Sequence, residues 1–132
     1  MSKVAYAAAL ICLFSGAALA ESLEDAPLPA AVSLVKEDGS FKFSDDNGQS
    51  LYTSDRDSNG HSSCDGACAS MWPPVAAPSD AHRIGDWTPI KRTDNSLQWA
   101  YKDRPVYTYS GDKEPGQTKG VGVGGVWHLL TP

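Results

Sequence analysis

The chain has 132 residues, which is the size of one ordinary domain. It contains 12 glycines, 9 prolines and 20% charged residues, a balance typical of loop-rich globular proteins rather than disordered or fibrous chains. Sixteen acidic and eleven basic residues give a net charge of −5, and no basic stripe is available to neutralise phosphates, so the composition argues against nucleic acid as a partner.

The first 20 residues have the pattern of a secretory signal peptide. Lys3 supplies the positive charge, Val4–Leu19 is an apolar run, and Ala18–Ala20 forms an A-x-A cleavage site. The run is shorter than a membrane-spanning helix requires. Cys12 lies inside the run, whereas a lipid-attachment cysteine would stand at its end. We therefore expect a periplasmic or secreted protein that begins near Glu21 and has no membrane span after cleavage.

The remaining chain is predicted to be mainly β, with antiparallel strands and long loops. Residues 21–39 are predicted to form a linker or N-terminal arm, and residues 40–132 the β domain. Lys91–Tyr101 is predicted to be a hairpin that turns at Asp94-Asn95, and Asp65–Met71 a short helical turn. Short aromatic segments between turn residues predict strands at Ser40–Ser44, Ser50–Thr53, Trp87–Thr93, Leu97–Tyr101, Val106–Tyr109 and Val126–Leu130.

Two cysteines remain after removal of the leader. Cys64 and Cys68 have the spacing C-x3-C, which differs from the C-x-x-C of thioredoxin-like proteins, and no second pair is present to complete a zinc site. Because an exported chain meets an oxidising compartment, we predict a Cys64–Cys68 disulfide beside the short helical turn. So short a loop gives a stabilisation of about 2 kcal/mol in the chain-entropy account.

The aromatic landmarks of the chain recur at a fixed offset. When the sequence is shifted by 55 residues, Leu51–Thr53 falls on Val106–Thr108, Asp57 on Asp112 and Trp72 on Trp127. Three coincident anchors predict two tandem Tyr-Asp-Trp repeats within one domain, the first at about residues 48–78 and the second at about residues 97–132.

These residues carry a family resemblance. Tyr107–Asp112 fits the pattern Yx(F/W/Y)xxD of a family of secreted bacterial repeat proteins and lipoproteins, and Tyr52–Asp57 departs from it only in placing Ser54 at the aromatic position. Ser63–Cys68 followed by Trp72–Pro74 is similar to the first-repeat signature of that family. Four segments resemble its second repeat: Gln98–Tyr101, Arg104–Tyr107, Glu114–Gly116 and Gly125–His128. Because the function of the family is unknown, the resemblance implies an architecture and a location rather than an activity.

The repeated residues have two interpretations. In the structural one, each tyrosine hydroxyl meets the aspartate of the loop that follows it, beneath a packed tryptophan. In the functional one, the paired aromatic and acidic side chains line a groove between the repeats that binds a glycan, a peptide or a planar ligand. The candidate ligand-binding residues are Tyr52, Asp57, Trp72, Tyr107, Tyr109, Asp112 and Trp127.

The loop Asp55–Gly60 has the pattern D-x-D-x-N-G, which opens a calcium-binding loop. Asp55, Asp57 and Asn59 are therefore candidate ligands for calcium. Position twelve of such a loop is Gly66, where a bidentate glutamate is expected, so a hydrated Asn-Gly turn is the alternative.

The sequence predicts no enzyme. It lacks G-x-S-x-G, H-E-x-x-H and Walker-type motifs, and the G-x-G-x-x-G of Gly120–Gly125 leads into a predicted strand instead of opening a helix. We expect an exported, non-catalytic repeat domain that binds an envelope or extracellular ligand (a glycan, peptide or protein), with no cofactor other than a candidate calcium ion. A metal- or redox-handling envelope protein is the alternative.

Overall fold

The structure is a computed structural model that describes residues 23–132. The predicted signal peptide at residues 1–20 lies outside the described residues. Within them, the strands are β1 Val32–Glu37, β2 Ser40–Asp45, β3 Tyr52–Ser54, β4 Ala76–Ala77, β5 Trp87–Lys91, β6 Leu97–Tyr101, β7 Arg104–Pro105 and β8 Trp127–Leu129. A short helix, α1, spans Ala67–Met71, and a 3₁₀ turn spans Val123–Gly125.

All strand pairs are antiparallel, and two of them join the first half of the chain to the second. β3 pairs with β8, and β4 pairs with β6, which also pairs with β5 and β7. β1 and β2 form a separate hairpin. The two repeats are therefore interleaved in one domain rather than stacked as separate units. The prediction of a mainly β domain of tandem repeats is confirmed.

Strand β1 lies in the segment for which the sequence predicted a linker or arm. Val32–Glu37 pairs along its whole length with β2, and the side chain of Val32 is buried in the core. Asp38 and Gly39 connect the two strands, both with positive φ, as a two-residue hairpin turn requires. The Asp38-Gly39 dipeptide is the local signal for this hairpin, and the expectation of a linker or arm did not take it into account.

The prediction of a strand at Val106–Tyr109 was wrong. Within this segment only Tyr107 makes strand-like bridges, one to Tyr52 and one to Pro74. The backbone groups of its neighbours bond to other segments of the chain. The N–H of Val106 donates to the carbonyl of Trp99, and the N–H of Thr108 to the carbonyl of Pro73. Tyr107 is therefore fixed from both sides without belonging to a sheet.

The local predictions around the cysteines and the hairpin are confirmed. Cys64 and Cys68 form a disulfide, and α1 begins beside it. β5 and β6 form the predicted hairpin, in which Asn95 adopts a positive φ at the turn. Each of these features depends on residues close together in the chain.

The buried side chains form two clusters. The larger one, the main core, lies under β2, β5 and β6 and contains Phe43, Trp87, Trp99 and Tyr101 among others. The second is almost wholly aromatic, and we call it the Tyr–Trp cluster; it consists of Tyr52, Trp72, Tyr107 and Trp127, with the disulfide packed against it. This second cluster contains the tyrosine and the tryptophan of both copies of the repeat motif.

Candidate functional site

The two tyrosines of the repeats lie side by side at the centre of the Tyr–Trp cluster. The N–H of Tyr52 donates to the carbonyl of Tyr107 at 2.8 Å, and the N–H of Tyr107 donates to the carbonyl of Tyr52 at 2.9 Å. Both side chains are fully buried. The two hydrogen bonds are reciprocal, so an approximate two-fold axis that relates the repeats passes between them.

Each tyrosine hydroxyl bonds to the aspartate of the other repeat. The hydroxyl of Tyr52 donates to Oδ2 of Asp112 at 2.6 Å, and that of Tyr107 donates to Oδ2 of Asp57 at 2.7 Å. The expectation that each tyrosine would meet the aspartate of its own following loop was wrong. Because the two tyrosines bridge antiparallel, the loop that follows one of them lies beside the hydroxyl of the other.

The second oxygen of each carboxylate is bound within its own loop. Oδ1 of Asp57 accepts from the N–H and the hydroxyl of Ser63, at 2.8 and 2.9 Å. Oδ1 of Asp112 accepts from the N–H of Lys119 at 2.9 Å. Burial raises the pKa of Tyr52 and of Tyr107, and the hydrogen bond to a carboxylate raises each pKa further. Both hydroxyls therefore remain protonated donors.

The two tryptophans of the repeats stack on each other. Trp72 and Trp127 are 3% and 6% exposed, and their ring centroids lie 3.8 Å apart with planes 4° from parallel. Tyr52 meets Trp72 edge-on, and Tyr107 meets Trp127 edge-on. Each tryptophan is therefore the other's stacking partner across the axis that relates the repeats.

The symmetry of the Tyr–Trp cluster is broken on one face. Tyr109 stacks on Trp72 with 4.3 Å between ring centroids, whereas Ser54 occupies the corresponding place in the first repeat. Gly120 lies so close to the rings of Trp72 and Tyr52 that a Cβ there would come within 3 Å of both. The glycine-rich segment therefore closes over the cluster.

The structure thus brings the candidate ligand-binding residues together, mostly in the interior. Tyr52, Trp72, Tyr107, Asp112 and Trp127 are buried. Asp57 and Tyr109 are partly exposed. As they stand, these side chains hold the repeats together, and Asp57 and Tyr109 are the two with surface open to a ligand.

The three candidate calcium ligands point to different partners. Asp55 bonds through Oδ2 to Nε2 of His128 at 2.7 Å, Asp57 is bound to Tyr107 and Ser63, and Asn59 is exposed. Across residues 23–132, no three histidine, cysteine, aspartate or glutamate side chains are grouped as metal ligands. Calcium binding stays a prediction, and no contact in the described part of the chain favours it.

A cleft of about 290 Å³ lies between the segment before β1 and the loop that joins the two repeats. Its lining residues are Ala30, Ala31, Pro78, Asp80, Ala81, His82, Ile84 and Trp99. We call it the inter-repeat cleft. Its walls are apolar, and Asp80 and His82 are its ionisable side chains. The cleft could not be identified from the sequence, because its lining comes from three separate segments of the chain.

A buried arginine beside the disulfide was also missed. The Arg92 guanidinium donates to Oε1 of Gln98 at 2.7 Å, to the hydroxyl of Ser62 at 3.1 Å and to the carbonyl of Cys64. It also reaches Oδ1 of Asp65 at 3.2 Å. Arg92 therefore ties the β5–β6 hairpin to the disulfide loop of the first repeat. No sequence signal marks it, since arginine near a turn is ordinarily exposed.

The described residues include no helix with the length and apolar character needed to cross a membrane. A family model described as a secreted repeat of unknown function matches the chain twice, over residues 34–76 and 88–131. The first match contains Tyr52, Asp57 and Trp72, and the second contains Tyr107, Asp112 and Trp127. No curated protein and no solved structure is significantly similar to the chain.

Proposed function

This chain belongs to the family of secreted repeats of unknown function, and we propose that it acts outside the cytoplasm as a non-catalytic domain that binds a small, largely apolar ligand in the inter-repeat cleft. The predicted leader at residues 1–20 would deliver it to the periplasm or beyond. The ligand is a free molecule or one apolar group of a larger peptide or glycan.

The inter-repeat cleft is the observation that carries this proposal. Its volume of about 290 Å³ is close to the lower end of the range of ligand sites, about 300–1,000 Å³, and such sites are mostly apolar with a few polar groups that orient the ligand. Trp99 and Ile84 provide apolar surface, whereas Asp80 and His82 provide hydrogen-bonding groups. A ligand with one ring system and one polar substituent matches this combination.

The crossed Tyr–Asp pairs have a supporting role in this proposal. The N–H of Trp99 donates to the carbonyl of Val75 at 2.8 Å, so the lining of the cleft is attached to the chain just after Trp72. Because Trp72 is fixed by its stack with Trp127, the Tyr–Trp cluster positions one wall of the cleft. A site on rigid elements loses less conformational entropy on binding than a mobile one.

Nuclear magnetic resonance with indole and other neutral bicyclic aromatic fragments tests the proposal. We expect millimolar fragment to shift the indole N–H signal of Trp99 and the methyl signals of Ile84. Ala81→Trp places a large side chain in the cleft and should abolish these shifts. Asp80→Asn should retain the shifts caused by neutral fragments while weakening the binding of fragments that carry an amine.

Ala67→Trp is the matched control, because Ala67 is exposed on α1 and lies outside the cleft. It should leave the fragment-induced shifts unchanged. The dispersion of the amide spectrum shows whether each variant is folded. Absence of shifts at Trp99 and Ile84 in the wild-type protein, or shifts that persist in a folded Ala81→Trp variant, would contradict the proposal.

A further inference from the structure

Tyr109 and the Tyr–Trp cluster, against which it packs, form a continuous series of ring contacts that leads inward from the surface. Tyr109, which is partly exposed, stacks on Trp72 at 4.3 Å, and Trp72 stacks on Trp127 at 3.8 Å. Trp127 in turn meets the edge of the buried Tyr107, with 5.1 Å between centroids. Tyrosine and tryptophan are the aromatic side chains that give up one electron most readily. The series therefore joins four oxidisable rings without a gap.

The inner end of the series has a proton acceptor in place. The hydroxyl of Tyr107 donates to Oδ2 of Asp57 at 2.7 Å and is 2.6 Å from the hydroxyl of Ser62. A phenol that loses an electron becomes a strong acid, so its oxidation is easiest where a base already holds the proton. Tyr52 has the same arrangement with Asp112 at 2.6 Å.

The surroundings of the cluster keep a radical from being lost to a thiol. Cys64 is buried against the rings, and both Cys64 and Cys68 are in the disulfide. Residues 23–132 contain no other cysteine, so this part of the chain has no free thiol that could reduce a radical. Trp72, Trp127 and the two buried tyrosines also have little contact with solvent. An oxidised ring there is shielded from dissolved reductants.

We propose that the Tyr–Trp cluster takes up a single oxidising equivalent at Tyr109 and Trp72 and holds it as a neutral radical on one of its two buried tyrosines, Tyr107 or Tyr52. A one-electron oxidant of the metal-complex class removes an electron from the Tyr109–Trp72 stack and is itself reduced by one electron. The missing electron is then supplied by Tyr107 through Trp127, or by Tyr52, which meets Trp72 edge-on. The hydroxyl proton of the oxidised tyrosine moves to its paired carboxylate, Asp57 or Asp112, which becomes a neutral carboxylic acid.

This activity accounts for features that packing alone does not require. A phenolic hydroxyl paired with a carboxylate is not needed to fill a core, and a phenylalanine would fill the same space without the desolvation of an acid. Tyr109 is a third stacked ring that extends the series to the surface beside Trp72, whereas the equivalent residue of the first repeat, Ser54, has no ring. The inference is independent of the proposed ligand and of the inter-repeat cleft.

Laser flash-quench oxidation of the mature protein tests the inference, with tris(bipyridine)ruthenium as photosensitiser and a cobalt(III) ammine as the electron acceptor. Transient absorption and freeze-quench electron paramagnetic resonance distinguish tyrosyl from tryptophanyl radicals. We expect a long-lived tyrosyl radical in the wild-type protein, formed more slowly in D₂O because a proton moves with the electron. The measurement in D₂O requires no substitution and cannot be confused with misfolding.

Substitutions locate the radical. The double variant Tyr52→Phe and Tyr107→Phe should remove most of the long-lived tyrosyl signal, and Asp57→Asn combined with Asp112→Asn should lower its yield, because both proton acceptors are then lost. Trp127→Phe in the Tyr52→Phe background should interrupt the relay to Tyr107 and lower the yield. Tyr101→Phe is the matched control, because Tyr101 is a buried tyrosine of the main core. Loss of signal in that control, equal yields in the double tyrosine variant and the wild type, or the absence of an isotope effect would overturn the inference.

Discussion

Replacement of Trp72 or Trp127 by alanine is expected to lower the free energy of unfolding by about 3–5 kcal/mol. Each indole is almost fully buried, and each is stacked on the other with centroids 3.8 Å apart, so either truncation opens a cavity at the axis that relates the repeats. Domains of this size have a total stability of about 5–15 kcal/mol. Each variant should therefore be close to unfolding, which urea denaturation followed by circular dichroism will measure.

Val121→Ala is the control for the tryptophan substitutions. Its side chain is 53% exposed, and a surface truncation of this kind changes stability by no more than about 0.5 kcal/mol. Both tryptophan variants should unfold in a single transition, because the strands of the two repeats are interleaved. A loss no larger than that of the control, or separate transitions for the two halves, would show that the stacked pair does not join the repeats.

The second large effect is expected at Arg92. Its side chain is 7% exposed, and its guanidinium satisfies the side-chain oxygen of Gln98 and the carbonyl of Cys64 in the interior. Arg92→Met removes these donors and leaves two buried neutral acceptors unpaired, which costs about 1–3 kcal/mol for each of them. The Asp65 carboxylate is 45% exposed, so that ion pair contributes little of the effect.

Arg104→Met provides the comparison for Arg92, because Arg104 is an exposed residue of β7. We expect its unfolding curve to overlay that of the wild type within about 0.5 kcal/mol. Arg92→Lys should recover only part of the loss, since an ammonium cannot reproduce the planar set of donors of a guanidinium. If Arg92→Met and Arg104→Met unfold at the same urea concentration, the network around Arg92 is not a stabilising one.

Features that depend on neighbouring residues could be predicted from the sequence. The disulfide followed from two cysteines four residues apart in an exported chain, and the β5–β6 hairpin from a turn at Asp94-Asn95. The repeat followed from the constant offset between Tyr52 and Tyr107, which aligns residue types without any knowledge of their contacts.

Features that depend on the arrangement of the repeats could not be predicted. A repeat offset relates Tyr52 to Tyr107, but it does not say which aspartate each hydroxyl reaches. That choice depends on the antiparallel bridge between the two tyrosines, a contact between residues 55 positions apart. The inter-repeat cleft and the network of Arg92 have the same origin, since each is assembled from segments that meet only in the folded chain.

The account depends most on the crossed pairing of the tyrosines and aspartates, and a double-mutant cycle tests it directly. Tyr52→Phe is combined with Asp112→Asn in one cycle and with Asp57→Asn in another, and the free energy of unfolding is measured for every variant. The hydrogen bond between Tyr52 and Asp112 predicts a coupling energy of about 0.5–3 kcal/mol in the first cycle. The second cycle should be additive within about 0.5 kcal/mol. Coupling between Tyr52 and Asp57, with none between Tyr52 and Asp112, would contradict the interlocked arrangement of the two repeats.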